Sequence, residues 1–330
     1  MIKLLKIILK LFLGILILFI AFYYWASSSN FRIDEYSKIL ANNYPTDITN
    51  DSVYSIITYN IGYLSGMTNN LPIKKEKIFF DENLEIVVDL FKKLDPDIIA
   101  FQEIDFASRR SYDVNQQNEI AKLGYSFVGQ VVNWDKKYLP FPEFPISMHY
   151  GRILSGQSIL SKYAITFQDR LELKRNTTNP FYYDAFYLDR LAQIVKINIT
   201  RSGQKNKTLV IINVHTEAFH QETRKEQIEN ILQIFLSYNK EFPTILLGDF
   251  NSDINYENAA INLLLDLPKT GCAAFDRNNI ENTFDSEKPV ERLDYIFYNT
   301  DFIEYLDGEV LSEFEQASDH LPLLMKFKLK

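Results

Sequence analysis

The chain has 330 residues, 46% of them hydrophobic and 14% aromatic, which supplies apolar material for one large core or two smaller ones and excludes a wholly disordered chain. It carries 35 Lys and Arg against 43 Asp and Glu; with Lys3, Lys6 and Lys10 set apart in an acid-free head, the body holds 32 basic and 43 acidic residues, a net of −11. A body of that sign repels polyanions at long range and disfavours sequence-blind binding to nucleic acid, while the single cysteine, Cys272, excludes an internal disulfide and a Cys-based zinc cluster.

Residues 1–30 place spaced lysines before an apolar run from Leu11 to Trp25, followed by a serine patch. Counted back through Ile7, with Lys10 snorkelling, the run approaches the roughly 20 residues that cross a bilayer as a helix. Lysines on the N-terminal flank keep that end cytoplasmic and put the body on the outer side. The segment reads as a single-pass anchor, or as a signal peptide cut near Ala26 to Ser29 with the body secreted. Residues 31–50 read as a polar linker, and 51–330 as one domain, with no internal repeat and no Gly/Ser linker inside it.

Along that domain, short β-rich apolar runs alternate with helical patterns. The runs are Tyr54 to Tyr59, Asp97 to Phe101, Ser158 to Leu160, Ala192 to Ile199, Leu209 to Val214, Thr244 to Leu247, Tyr295 to Tyr298 and Leu323 to Leu329. Asn83 to Leu94 and Gln221 to Tyr238 carry apolar residues at helical spacing, such as Ile228, Ile231, Leu232 and Phe235. The pattern is α/β. Trp134 to Tyr150, where Pro140, Pro142 and Pro145 alternate with aromatics, reads as an irregular loop.

Polar residues end these runs. Ser55 to Asn60 closes on an amide, Ile98 to Glu103 on a carboxylate, Val210 to His215 on an imidazole, and Ile245 to Asn251 on Asp249 and Asn251; Arg292-Leu-Asp294 and Ser318-Asp-His320 follow. Open α/β sheets gather their sites at the carboxyl ends of strands. Hard oxygen donors suit Mg²⁺ or Mn²⁺, and histidines suit proton transfer and phosphate contact.

In this order Tyr-Asn60, Gln102-Glu103, Asn213-Val-His215, Gly-Asp249-Phe-Asn251, Leu-Asp294-Tyr and Ser-Asp319-His320 resemble the motifs of the endonuclease/exonuclease/phosphatase family, whose members include DNase I-like nucleases, inositol polyphosphate phosphatases and neutral sphingomyelinases. The resemblance implies a four-layer α/β/β/α sandwich behind the N-terminal helix, and a metal-dependent phosphoester hydrolase using Mg²⁺ or Mn²⁺. It implies that Glu103 holds the metal with Asn60 and Asp319 near it, and that Asp249 orients or deprotonates the attacking water. Asn251 and His215 then contact the scissile phosphate, and Asp294 holds His320. Arg190, in Asp-Arg-Leu-Ala-Gln, matches a phosphate-contacting arginine, and Gln157 stands where the family often has Asn, so both are carried as substrate-binding positions.

Three functions follow from these readings: a phosphodiesterase or phosphatase acting on a membrane lipid or small phosphoester, an extracytoplasmic nuclease, and a binding module without catalysis. The acidic body and two aromatic clusters, Trp134 to Tyr150 and Phe181 to Tyr187, favour lipid, because aromatic rings settle at headgroup depth. The same aromatics can instead cover a core. Arg109 and Arg110 either meet an anionic headgroup or face solvent.

Overall fold

The computed structural model describes residues 1–48, 52–142, 144–199 and 207–330. Helix α1 (Ile2–Ser27) is followed by edge strand β1 (Ser37–Ala41), and then by β2 (Tyr54–Asn60), α2 (Lys77–Leu94), β3 (Ile98–Asp105), the short α3 (Gln116–Ala121), β4 (Phe127–Leu139) and β5 (Gly151–Ser161). The second half runs β6 (Ala164–Glu172), α4 (Phe181–Asp184), β7 (Leu191–Ile199), β8 (Lys207–His215), α5 (Gln221–Tyr238), β9 (Thr244–Asp249), α6 (Asn262–Leu265), β10 (Thr270–Cys272), β11 (Asp294–Asn299), β12 (Ile303–Val310) and β13 (Leu323–Leu329).

Two sheets form, in the orders β1-β4-β5-β3-β2-β13-β12 and β10-β11-β9-β8-β7-β6. The alternation of side chains along each strand makes them two-faced. On β2, Ile56 enters a core shared with Ile98, Ile211, Ile245 and Ile296 between the sheets, whereas Ile57 and Tyr59 face Val87 and Phe91 of α2. On the other sheet, Ile212, Leu246 and Phe297 face Ile228, Ile231 and Phe235 of α5. Three cores between four layers give the expected α/β/β/α sandwich. Burying each of the three α5 side chains contributes roughly 1.5–3 kcal/mol.

The parallel pairs β2·β3 and β8·β9 lie centrally, and β13 and β11 run antiparallel beside β2 and β9. The carboxyl ends of β2, β3, β8 and β9 therefore meet the amino ends of β11 and β13 along one rim. That crossing brings sequence-distant polar residues together.

Two segments differ from the sequence expectation. Residues 31–48 are not a linker, because β1 pairs with β4 from Ser37 opposite Val131 to Ala41 opposite Phe127, and Asn42 donates to the Ser126 carbonyl. The expected boundary at 50/51 lies outside the described residues. Trp134 to Leu139 are strand, not loop, since the prolines begin only at Pro140 and the residues before it are free to join the ladder with β5.

Helix α1 is the one helix among the described residues long and apolar enough to cross a membrane. Its last turns dock on the sandwich. Phe22 and Trp25 contact Tyr138 at ring distances of 5.7 and 6.4 Å, and Tyr23 meets Phe186 at 5.7 Å and Phe181 at 6.3 Å. Asp135 accepts from the backbone of Asn30 and Phe31 at 2.9 Å and from the Asn30 amide at 2.6 Å, which fixes the helix exit to β4.

Candidate active site

The rim collects Asn60, Glu103, His215, Asp249, Asn251, Asp294, Asp319 and His320. Glu103 leaves β3 at φ 53, inside a register shift between Phe101 and Ile104, a bulge that re-aims its carboxylate. A non-glycine residue held there costs on the order of 1–3 kcal/mol, a strain typical of sites that the surrounding structure over-determines. Gly248 is needed one step before Asp249: at φ +134, a Cβ would lie 2.0 Å from the Val214 carbonyl oxygen. Asn251 turns back at φ 47, its backbone N–H donating to Asp249 Oδ1 at 2.8 Å and its amide to the Thr216 carbonyl at 3.1 Å.

Asp249 is central. Asn60 Nδ2 donates to its Oδ2 at 2.9 Å, and His215 Nε2 and His320 Nε2 stand 3.5 and 3.8 Å from the same oxygen. Burial, with Asp294 nearby, raises the Asp249 carboxyl to about 7, even though His320 and the hydrogen bonds from Asn251 and Asn60 pull it down. A base poised near neutrality is suited to accept a proton from water.

His320 donates from Nδ1 to Asp294 Oδ2 at 2.8 Å, and Thr283 Oγ donates to that same oxygen at 2.7 Å. Burial opposes its charge, yet Asp294 and Asp249 outweigh that opposition and hold its affinity for protons well above the ordinary value. His320 is therefore an imidazolium. His215 is its opposite: burial, then Arg190 and His320, hold it neutral. Its Nε2 accepts from Arg190 Nη1 at 2.5 Å, which leaves the proton on a buried Nδ1 without a hydrogen-bond partner among the described residues.

Glu103 and Asp319 face each other across Asn69, whose amide nitrogen lies 3.4 Å from Glu103 Oε2 and 3.2 Å from Asp319 Oδ2. Burial raises the Asp319 carboxyl to about 6, with His320 lowering it and Glu103 raising it. Two hard carboxylates, one raised in pKa by burial and by the other's charge, converging on a neutral amide form a donor set that fits a divalent cation. Asp249, Asp294 and His320 also present ligand atoms within 4.8 Å of one another. That trio is the poorer candidate, because His320 as an imidazolium carries a proton on each ring nitrogen and has no lone pair for a cation. Gly62 leaves room for the Asp319 carboxylate, since a Cβ there would meet Asp319 Oδ1 at 2.9 Å.

Arg190 reaches the rim through His215 and is held from behind. Tyr187 Oη donates to Glu217 at 3.0 Å and accepts from Arg190 Nη2 at 3.3 Å, and Glu217 lies 3.8 Å from Arg190 Nε. Gln157 lies fully buried, its Nε2 donating to the Asn213 carbonyl at 3.0 Å and its Oε1 unpartnered among the described residues. It belongs to a layer of inter-sheet amides in which Gln102 donates to Asn213 at 2.6 Å and Asn213 to Gln193 at 3.1 Å. Asn69, Glu217 and Thr283 were not singled out from sequence, and Tyr187 entered only as the end of an aromatic cluster, not as a site residue. Glu217 and Tyr187 lie two and three residues from His215 and Arg190, a proximity that marks them; Asn69 sits in a loop that no strand points to.

The sequence profile of the endonuclease/exonuclease/phosphatase family matches residues 57–320. The chain belongs to that family. Its members are phosphoester hydrolases, generally dependent on a divalent metal, and the buried acid and histidine cluster fits that chemistry. No curated protein matches the chain by sequence. Solved structures match its fold. The catalytic domain of human Nocturnin, with a bound sulfate anion, is 16% identical at a TM-score of 0.58, covering 89% of this chain and 97% of its own. A mannosyl-6-phosphatase from Bacteroides thetaiotaomicron is 15% identical at 0.57, covering 84% and 99%. D. rerio TDP2 in complex with a single-strand DNA product is 17% identical at 0.56, covering 84% and 100%. Family proteins that share this sandwich thus range from a sugar phosphatase to one holding DNA, and the fold alone does not select a substrate.

Proposed function

We propose that this protein is an Mg²⁺- or Mn²⁺-dependent phosphodiesterase acting on a phospholipid in the membrane that α1 anchors, with its catalytic body on the outer side. Glu103 and Asp319, with Asn60 and Asn69 beside them, would hold the ion, which when bound supplies positive charge against the negative charge that builds on the phosphate during attack. Asp249 takes the proton of the attacking water, Asn60 and Asn251 fixing the carboxylate. The His320 imidazolium, the Arg190 guanidinium and the Asn251 amide surround the place of the phosphate and stabilise its added charge. Neutral His215 orients Arg190 by accepting its hydrogen bond.

The observation that carries the lipid reading is the docking of α1 beside two aromatic loops. Phe144 is 80% exposed and Phe181 77% exposed, and Ile146 and Tyr182 also point outward. Both loops reach the site from behind: Tyr150 Oη meets Tyr63 Oη at 3.0 Å, and Tyr183 stacks on Tyr187 at 5.3 Å. A helix crossing the bilayer and ending in Tyr23, Tyr24 and Trp25 supports an outer face whose exposed rings lie at the interface. Phe141, Tyr150 and Trp134 of the same cluster pack inward, so only part of it is available for that role.

The test is the full chain with Mg²⁺ against vesicles of phosphatidylcholine, phosphatidylethanolamine and phosphatidylserine, soluble inositol phosphates, and plasmid DNA. Turnover of a vesicle lipid above all soluble substrates is expected; faster cutting of plasmid would replace the lipid reading with the nuclease one. Protease added to intact cells should reach the body, and full protection until lysis would reverse the orientation.

A further inference from the structure

Beside the proposed metal site lies a cleft of about 350 Å³ that the catalytic roles leave unassigned. Tyr63, Tyr112 and Tyr150 form its walls, and Lys74, Lys75 and Arg109 line it. Its inner side is the stretch through Ser65 and Thr68, part of the chain that runs from Asn60 to Asn69. Its other side is the loop through Pro142 and Met148 that also carries Phe144 and Ile146 outward.

The two adjacent arginines part company here. Arg110 is buried, ion-paired with Asp105 at 2.9 Å and stacked 3.7 Å over Tyr63, and so braces the wall. Arg109 lies exposed on the cleft, its stem against Gly151, and makes no ion pair among the described residues. Lys75 likewise makes none; its ammonium lies 4.5 Å over Phe79. Lys74 pairs only with the exposed Glu76 at 3.3 Å. The Tyr112 hydroxyl donates to the Lys75 carbonyl at 2.8 Å and ties the Arg109 turn to the lysine loop. Tyr63, Leu64, Tyr112 and Asp113 all sit at positive φ, between 42° and 60°. Four non-glycine residues held that way mark a shape the fold maintains at a cost. On a body of net negative charge, unpaired cations facing a cleft next to the site are the exception that calls for a ligand.

The geometry points to a second anion subsite: this cleft receives a carboxylate or second phosphate on the headgroup of the substrate whose phosphoester lies at Glu103 and Asp249. The inference rests on the proposed lipid activity for the identity of that substrate. Two charge-assisted contacts at partly exposed cations account for a preference of about tenfold.

The experiment uses the full chain with Mg²⁺ and lipid pairs that differ only in a headgroup anion: phosphatidylserine against phosphatidylethanolamine, and phosphatidylinositol 4-phosphate against phosphatidylinositol, each in phosphatidylcholine vesicles. A kcat/KM ratio of about ten or more in favour of the anionic member of either pair, carried by KM, is expected. In Lys75→Gln with Arg109→Gln, checked for folding by circular dichroism, the ratio should fall to about one. Glycerophosphoserine and glycerophosphoethanolamine, titrated into the Glu103→Gln chain by calorimetry, separate a free headgroup from a lipid. If no lipid is hydrolysed yet these two still bind differently and the double variant erases the difference, the subsite stands and the lipid reading falls. Ratios near one in wild type, or a ratio unchanged by the double variant, overturn the subsite.

Discussion

The strand-end cluster that forms the floor of the site and the outer rim of segments around it are built on opposite terms. On the floor, Asn60, Asp249 and Asp294 sit at strand ends and His320 just ahead of β13; all four are buried and each is held by at least two hydrogen bonds or close charges. On the outer rim, Lys75, Arg109 and Phe144 stand between the main strands and helices and Phe181 opens the short α4; Lys75 is half-buried and the other three are exposed. Reaction chemistry needs atoms fixed within fractions of an ångström, and sheet ends supply that; choosing among substrates needs a surface that differs between relatives, and loops supply that. The contrast explains how one sandwich is shared by a sugar phosphatase and a protein holding DNA.

Breaking the floor should cost most. Asp249→Asn removes the proton acceptor while keeping its shape, and turnover should fall on the order of 10²–10⁴-fold with little change in KM. The same substitution should raise the melting temperature of metal-free protein at pH 7. A carboxyl whose folded pKa is raised to about 7 destabilises the fold at any pH above its unfolded value, and the amide lifts that penalty. A lowered melting temperature would show that Asp249 is a structural support instead. His320→Ala should cost on the order of 10²-fold through lost charge stabilisation, read in single-turnover assays.

Much of this floor was legible in the sequence because an apolar run that stops on Asn60, Glu103, His215 or Asp249 states both the strand and its end. Asp294 opens β11 and Asp319 precedes β13, and only the resemblance of the whole motif order tied them to the same floor. The rim was legible only in part. Trp134 to Tyr150 reads as aromatic and proline-rich, but nothing local says that Phe141 packs inward while Phe144 faces out, because that depends on which strand pairs with β4. Edge strand β1 escaped for a similar reason: its pattern has half-buried residues and no continuous apolar run.

Changing the rim should have smaller and more selective effects. Phe144→Glu with Ile146→Glu should lower turnover of vesicle-bound lipid about tenfold while sparing a short-chain soluble analogue, since each exposed side chain buried at an interface contributes only a few kcal/mol at most. Equal losses on both substrates would assign the loop to the fold. The smallest effect expected is on pH dependence at the boundary between floor and rim. With the Asp319 carboxyl raised to about 6, the ligating carboxylate form is lost as pH falls through that value, so Mn²⁺ affinity should weaken by up to about tenfold per pH unit below 6 and level off above it.

The central claim is that Glu103 and Asp319 hold the ion on which hydrolysis depends. Mn²⁺ binding to the full chain, followed by electron paramagnetic resonance alongside turnover in the same samples, tests it most directly. Tight Mn²⁺ binding that disappears in both Glu103→Gln and Asp319→Asn, together with turnover abolished by EDTA and restored by Mg²⁺ or Mn²⁺, is the predicted result. Unchanged binding in both variants, or turnover that survives EDTA, would contradict it.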